Sequence, residues 1–542
     1  VPLLRIIVDS RHPQAPVHRA QVDAKLVMLP RLGKDSRRIH RCLAMSPLND
    51  RIRQSYDVFP YRSLAFAGSA PEHLRAVAYL FGLDSTPPER ARVLELGCAG
   101  GGNCLPFAAR WPEAEVVGVD ISPTQIAIGQ AAAQAMGLTN VRLLAASLTD
   151  LGPELGQFDY IIAHGVYSWV PEEVRQALLR LCAERLTAQG LAYVSYNVYP
   201  GWKAREVIRD AMLLDNHDRS DPQHQLDRAR YMVEFLHRQA RPGSLAHKLL
   251  DEQIDNVRHG RAHYLAHEYL EICNTPCYFR DFVAACREHG LDYLAEAEPS
   301  SMFAEHYAIA PNEPALRACA GDQLALEQLL DFVTQRSFRQ SLLCHAERAQ
   351  TVHYRIKRTR LPSLHLAGRF IELSERPQRW QGLDGAQVET RHSSDRLVLQ
   401  ALHAAWPGTL ALQQLLNDIA GTDATQQAVL GFVEELILSG AVRARREPVI
   451  AADRRAAPCV SAPLRRLAAW RAPLDAPVAL YSAWHGAVDD LDALEQRLLP
   501  LLDGQRSIDQ LVLWLNAANT DEVTRDQLER ALIRLHERAM LS

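Results

Sequence analysis

From Val93 to Asn103 the chain reads Val-Leu-Glu-Leu-Gly-Cys-Ala-Gly-Gly-Gly-Asn, with an acid two residues ahead of a glycine-rich turn. Glycines let the backbone come close to a bound nucleotide-like group, and a helix starting beyond them offers its free N–H groups. In a dinucleotide site such a turn cradles pyrophosphate. Here Glu95 stands at the entrance, where it repels phosphate and attracts an ammonium. Asp120, followed by Ile121, closes the run Val117-Gly118-Val119. An acid roughly 20 residues past the turn is placed to accept hydrogen bonds from ribose hydroxyls. The expected nucleoside-binding set is therefore Glu95, Gly97, Cys98, Ala99, Gly101, Asp120 and Ile121, with Ser147 and Leu148 edging and covering an adenine.

A second constellation is aromatic. It comprises His164-Gly165-Val166-Tyr167-Ser168-Trp169-Val170-Pro171 and Tyr196-Asn197-Val198-Tyr199-Pro200-Gly201-Trp202. Aromatic faces attract cations and strip water from an amine, which favours its neutral, nucleophilic form. Bringing a lysine amine from about 10.4 to near 7 corresponds to roughly 4–5 kcal/mol. Tyr167, Trp169, Tyr196, Asn197 and Tyr199 are expected to form an acceptor channel, and His164 to relay a proton or touch the cofactor. Tyr56 and Tyr61 are expected to form a lid over the cofactor.

These residues need a scaffold that brings strand ends together. Short apolar runs at 91–97, 115–120, 140–145, 158–163 and 191–197 alternate with helical patterns near 103–111, 123–136 and 171–186. That alternation predicts an α/β domain with a parallel sheet and ligands at the carboxyl ends of the strands. A further strand is expected at 290–294, and a segment returning to the sheet at 337–345.

The turn, written acid-x-Gly-x-small-x-Gly, together with Asp120, resembles the class I S-adenosylmethionine-dependent methyltransferases, whose middle glycine is Ala99 here. Ser55-Tyr56-Asp57-Val58-Phe59-Pro60-Tyr61, the two aromatic stretches, His267-Glu268-Tyr269-Leu270-Glu271 and Pro276-Cys277-Tyr278-Phe279 are similar to the rickettsial-type protein lysine methyltransferases. The resemblance runs over residues 45–542. It implies a Rossmann-like catalytic sheet, a mainly helical regulatory domain and C-terminal winged-helix-like units. It also implies S-adenosylmethionine as cofactor and, as methyl acceptors, lysines of outer-membrane or surface proteins before export. A small-molecule N- or O-methyltransferase and a non-catalytic S-adenosylmethionine-binding regulator are the competing readings.

The expected divisions are a poorly ordered leader (1–44), which an over-extended reading frame would explain, a methyltransferase domain (45–215), a helical regulatory domain (216–310), a return segment (311–376), and winged-helix-like units at 390–447 and 470–542. Residues 377–391 read as a linker, and 440–445 as a wing hairpin. The net charge of −4 over 542 residues disfavours a generally basic nucleic-acid binder, and the C-terminal unit is itself acidic. No uncharged apolar run of about 18 residues suggests membrane insertion. Ten scattered cysteines fit a reducing compartment, so a cytoplasmic location is expected. A homodimer is compatible with the pattern. His259, His263 and His267 share a helical spacing near Cys273 and Cys277, yet match no metal-binding motif, and no metal is expected.

Overall fold

A computed structural model of the chain describes residues 47–58, 61–214, 222–260, 265–307, 309–310, 312–374, 378–382, 385–419, 421–450, 457–471, 478–517 and 522–541. The expected leader and His263 lie outside the described residues. The strands of the principal sheet are β1 (Arg92–Leu96), β2 (Glu115–Asp120), β3 (Val141–Ala145), β4 (Phe158–Ala163), β5 (Leu186–Asn197), β6 (Leu291–Glu296) and β7 (Phe338–His345). They lie in the order β3-β2-β1-β4-β5-β7-β6. The first five pair in parallel, and β7 runs antiparallel between β5 and β6. Val93, Leu94, Leu96, Ile161, Ile162 and Val194 are all buried, as a sheet covered on both faces requires.

Helix α1 (Pro47–Val58) precedes the sheet, as does α2 (Pro71–Leu80). Three more helices, α3 (Cys104–Arg110), α4 (Pro123–Met136) and α5 (Glu172–Arg185), connect its parallel strands. The limits of α4 follow from local chemistry. Ser122 Oγ accepts from the Gln125 amide, Pro123 opens the first turn, and Gly137 closes the helix in the left-handed region. The expected helix at 171–186 ends at Arg185, and β5 begins five residues earlier than the run at 191–197. The buried Leu186 pairs with Phe158 across a register shift, which extends the strand backward.

Past β5 come α6 (Gly201–Leu213), α7 (Pro222–Gln239) and α8 (Leu245–His259), then a π turn at Ala266–Leu270. Ile208, Met212, Val233, Ile254, Val257 and Tyr269 give this bundle its own core. The chain then returns through α9 (Phe279–Glu288), β6, α10 (Gln323–Thr334) and β7.

The described residues of the stretch expected as a linker, 378–382 and 385–391, are not a plain linker. Strands Ile371–Glu372, Arg379–Gln381 and Gln387–Glu389 form a small antiparallel sheet, because Trp380 and Val388 bury their side chains beneath it. Nor do residues 440–445 form a hairpin. Arg443–Arg445 pairs with His365–Ala367, which also pairs with Leu410–Ala411, so the unit at 390–447 takes its central strand from ahead of residue 390. The last unit packs helix Ala462–Arg471 on α4, with Leu464, Leu467 and Ala468 in one apolar cluster with Ala132, Ala133 and Met136. Among the described residues, no helix is long and apolar enough to cross a membrane.

Candidate active site

A cavity of about 540 Å³ opens at the carboxyl ends of β1, β2, β4 and β5. Its floor is the glycine turn. Gly97 has φ +76°, and a Cβ there would come within 2.4 Å of Val166 Cγ2. Ala99 is left-handed too, at φ 48°, and its amide donates to Asp120 Oδ2 at 2.9 Å. The alanine in place of the usual glycine thus carries some backbone strain, which this bond offsets. A Cβ on Gly102 would fall 2.3 Å from the Ser63 carbonyl group, so the segment crossing over the turn demands glycine there. Gly101 does not border the cavity; its Cβ position faces Leu105 and Leu143.

Glu95 and Asp120 are both buried at the cavity. Glu95 accepts from Asn103 Nδ2 (3.1 Å) and Cys104 Sγ (2.8 Å), and burial pushes its carboxyl up to about 7. Asp120 Oδ1 accepts from the Ser122 amide, and burial raises this carboxyl as well. Cys98, Ala99, Ile121, Ser147 and Leu148 also line the cavity.

The opposite wall holds His164, Trp169 and Asn197. His164 stacks on Phe66 at 3.7 Å, and burial pushes its imidazole down to about 4, so it is neutral near pH 7. Tyr193 OH donates to Gln340 Oε1 (2.9 Å) and lies 2.8 Å from His164 Nδ1. The single tyrosine proton is committed to Gln340, so Nδ1 carries the imidazole proton and Nε2 keeps its lone pair. Asn197 Nδ2 donates to Asn274 at 3.1 Å, and its amide is held by Ser168 Oγ.

Tyr167, Tyr196 and Tyr199, expected in the channel, do not border the cavity. Side chains alternate along β5, so Tyr193, Ser195 and Asn197 share one face while Tyr196 points to the other. There it stacks on Phe282 at 3.9 Å and bonds Ser341. Tyr167 packs edge-on against the same pair. The Tyr199 hydroxyl donates to Glu206, with Lys203 Nζ 3.6 Å above its ring.

The roof is α1, whose Asn49, Ile52 and Tyr56 line the cavity at helical spacing. Tyr56 stacks on His267 (5.2 Å, 8°), and Tyr61 meets the same ring edge-on. His267 accordingly belongs to the roof, whereas His259 lies against the Asp255 carbonyl. Phe66, Asn103, Arg205, Glu268, Phe338 and Asp489 also line the cavity, and sequence reasoning did not single them out for it. Asn103 adjoins the turn and Glu268 lies in the His267–Glu271 stretch, so those two carried a signal.

Residues 93–190 match the family model of a methyltransferase domain, and residues 261–345 match that of a predicted methyltransferase regulatory domain. The second match thus spans the π turn through β7, not the bundle at 216–260. The structure of PKMT2 from Rickettsia typhi in complex with AdoHcy superposes with a TM-score of 0.76 at 26% identity, covering 89% of this chain and 100% of that one. The uncharacterized protein RP028 of Rickettsia prowazekii (strain Madrid E) is 36% identical over 230 residues, 42% of this chain and 92% of its own length. RP789 of the same organism is 38% identical over 296 residues, 54% of this chain. The chain spans about half (52%) of that relative's length. The chain belongs to the class I S-adenosylmethionine-dependent methyltransferases.

The cavity of this methyltransferase suits the family's cofactor. Glu95 and Asp120 are buried with no lysine or arginine paired to either among the described residues. An ammonium and a pair of ribose hydroxyls supply the partners such acids lack. Ile121, Ser147 and Leu148 would flank an adenine, with Tyr56 and Tyr61 above.

Proposed function

We propose that the chain transfers a methyl group from S-adenosylmethionine to a nitrogen, the ε-amine of a protein lysine. The observation that carries this reading is the cavity wall in which neutral His164, Trp169 and the Asn197 side chain stand across from Glu95 and Asp120. The bound cofactor supplies an electrophilic methyl group.

The chain's own residues do the rest. Asn197 accepts a hydrogen bond from the incoming amine through Oδ1 and so orients its lone pair. Trp169 and Phe66 keep water away, which lowers the cost of the neutral amine. His164, held neutral, accepts a hydrogen bond from the neutral amine at Nε2, because Tyr193 and Gln340 fix the other ring nitrogen as donor. Catalysis is chiefly alignment and desolvation. Lysine is supported by the similarity to rickettsial-type protein lysine methyltransferases and by the likeness to PKMT2. The proposed acceptors are outer-membrane or surface proteins before their export.

The test is incubation with isotope-labelled S-adenosylmethionine and a cell-envelope extract, followed by mass mapping of labelled peptides. Label on lysine is expected. Label confined to small molecules would favour a small-acceptor enzyme, and tight cofactor binding without any transfer would favour a regulator.

A further inference from the structure

Away from the cavity, three side chains with metal-ligating atoms converge where α7 meets α8. His237 comes from the last turn of α7. His247 and Asp251 stand four residues apart on α8, hence on one face. His237 Nε2 is 2.6 Å from Asp251 Oδ1, and His247 Nδ1 is 2.8 Å from Asp251 Oδ2. The two imidazole rings lie 5.2 Å apart, tilted by 32°. Among the described residues this is the one group of three such side chains whose donor atoms all fall within 4.8 Å of one another.

We infer that His237, His247 and Asp251 bind a divalent transition-metal ion of the Zn²⁺ type across the α7–α8 contact. Two imidazoles and one carboxylate suit zinc and its neighbours better than calcium or magnesium, which favour all-oxygen sites. Tetrahedral ligands at about 2.0–2.1 Å place donor atoms roughly 3.3 Å from each other, and the donor atoms here all lie within 4.8 Å of one another. Their relative exposures of 20%, 24% and 50% leave a path for the ion and a fourth position for water. Without an ion, each facing ring nitrogen donates its proton to the carboxylate. When an ion binds, that nitrogen offers its lone pair, and the proton passes to the other ring nitrogen or to solvent.

The position gives the ion a structural role. Two residues beyond Asp251 in the same helix, Gln253 accepts from Tyr269 OH at 3.2 Å, and Tyr269 belongs to the π turn that brings His267 and Glu268 to the cavity roof. An ion joining α7 to α8 therefore stiffens the bundle behind that roof.

The inference does not depend on the methyl-transfer reading and is tested apart from it. The full chain, stripped of metal, is titrated with ZnCl₂ by calorimetry beside His247→Gln and Asp251→Asn. Wild type is expected to take up one equivalent more than either variant. Equivalents taken up by cysteines are common to all three proteins and cancel. Unchanged circular dichroism and cofactor affinity in the variants show that the fold is intact. Equal stoichiometry in all three proteins, or no zinc uptake by wild type, would overturn the site and leave a hydrogen-bonded His–Asp–His cluster.

Discussion

Glu95 illustrates how much one buried carboxylate decides. Burial holds its carboxyl near 7, and its own neighbours, Asn103 and Cys104, only partly offset that. Burial therefore favours the protonated form in the cofactor-free molecule, and a cation must meet the ionised form. Cofactor binding should tighten as pH rises from about 6 to 7.5, approaching tenfold for each pH unit while the carboxyl is mostly protonated and levelling off once it is ionised. Calorimetric titration with S-adenosylmethionine across this range checks it, and Glu95→Gln should flatten the dependence while weakening binding throughout. Tyr196 teaches the opposite lesson. Its type and its place after the fifth strand suggest an acceptor channel, yet the two-residue period of β5 turns it into the core against Phe282. Tyr196→Phe, which removes only the bond to Ser341, should lower stability by about 1 kcal/mol and leave turnover within twofold. Asn197→Ala, one residue on, should lower turnover while sparing cofactor affinity. The alternation rule was available from the sequence. The partners that make it decisive, Phe282 and Ser341, come from α9 and β7, far along the chain.

The order of elements in the parallel half of the sheet was legible because each strand, turn and helix carries its own local signal: a glycine turn, a Ser-Pro helix start at Ser122, a glycine stop at Gly137. What was not legible is how the C-terminal unit closes the site. His485 sits in the left-handed region at φ 57° and bonds Asn103 Oδ1 at 2.8 Å, across 382 residues of sequence. Asn103 in turn donates to Glu95. Arg62 pairs with Asp489, and Ser63 bridges to Val478, so the segment crossing the glycine turn is held by the same unit. No composition or periodicity encodes such contacts. They make His485 a positioning residue for the cofactor acid. His485→Ala should weaken cofactor binding about fivefold, the size of one neutral hydrogen bond, with the acceptor's KM unchanged. His485→Asn, which restores a donor and tolerates the left-handed backbone, should recover part of that loss in the same calorimetric assay.

At the scale of the whole molecule, buried titratable groups in several layers set the acid stability. His73, His164 and His485 are each held neutral by burial, at about 3, about 4 and about 4, against roughly 6.5 in an unfolded chain. Below pH 6.5 the unfolded chain takes up protons that these sites refuse, so folding stability falls as pH drops toward their folded values, by about 3–5 kcal/mol per site. Glu95 and Glu327 act in the other sense. Burial raises both, so the folded chain holds protons that the unfolded one lacks, and stability rises as pH falls from about 7 toward 4.5. The two effects oppose each other between about pH 6.5 and 4.5, where the thermal midpoint should change little. Below about 4.5 the carboxylate gain is complete while the histidine loss continues, so the midpoint should fall steeply. Thermal unfolding followed by circular dichroism from pH 8 to 3.5 measures this directly, and His73→Asn should make the acid limb shallower by removing the most depressed group. A midpoint that rose between about pH 7 and 4.5 and then levelled off would mean that the three histidines take up protons in the folded protein as they do in the unfolded one, and the neutral His164 on which the proposed amine contact rests would go with them.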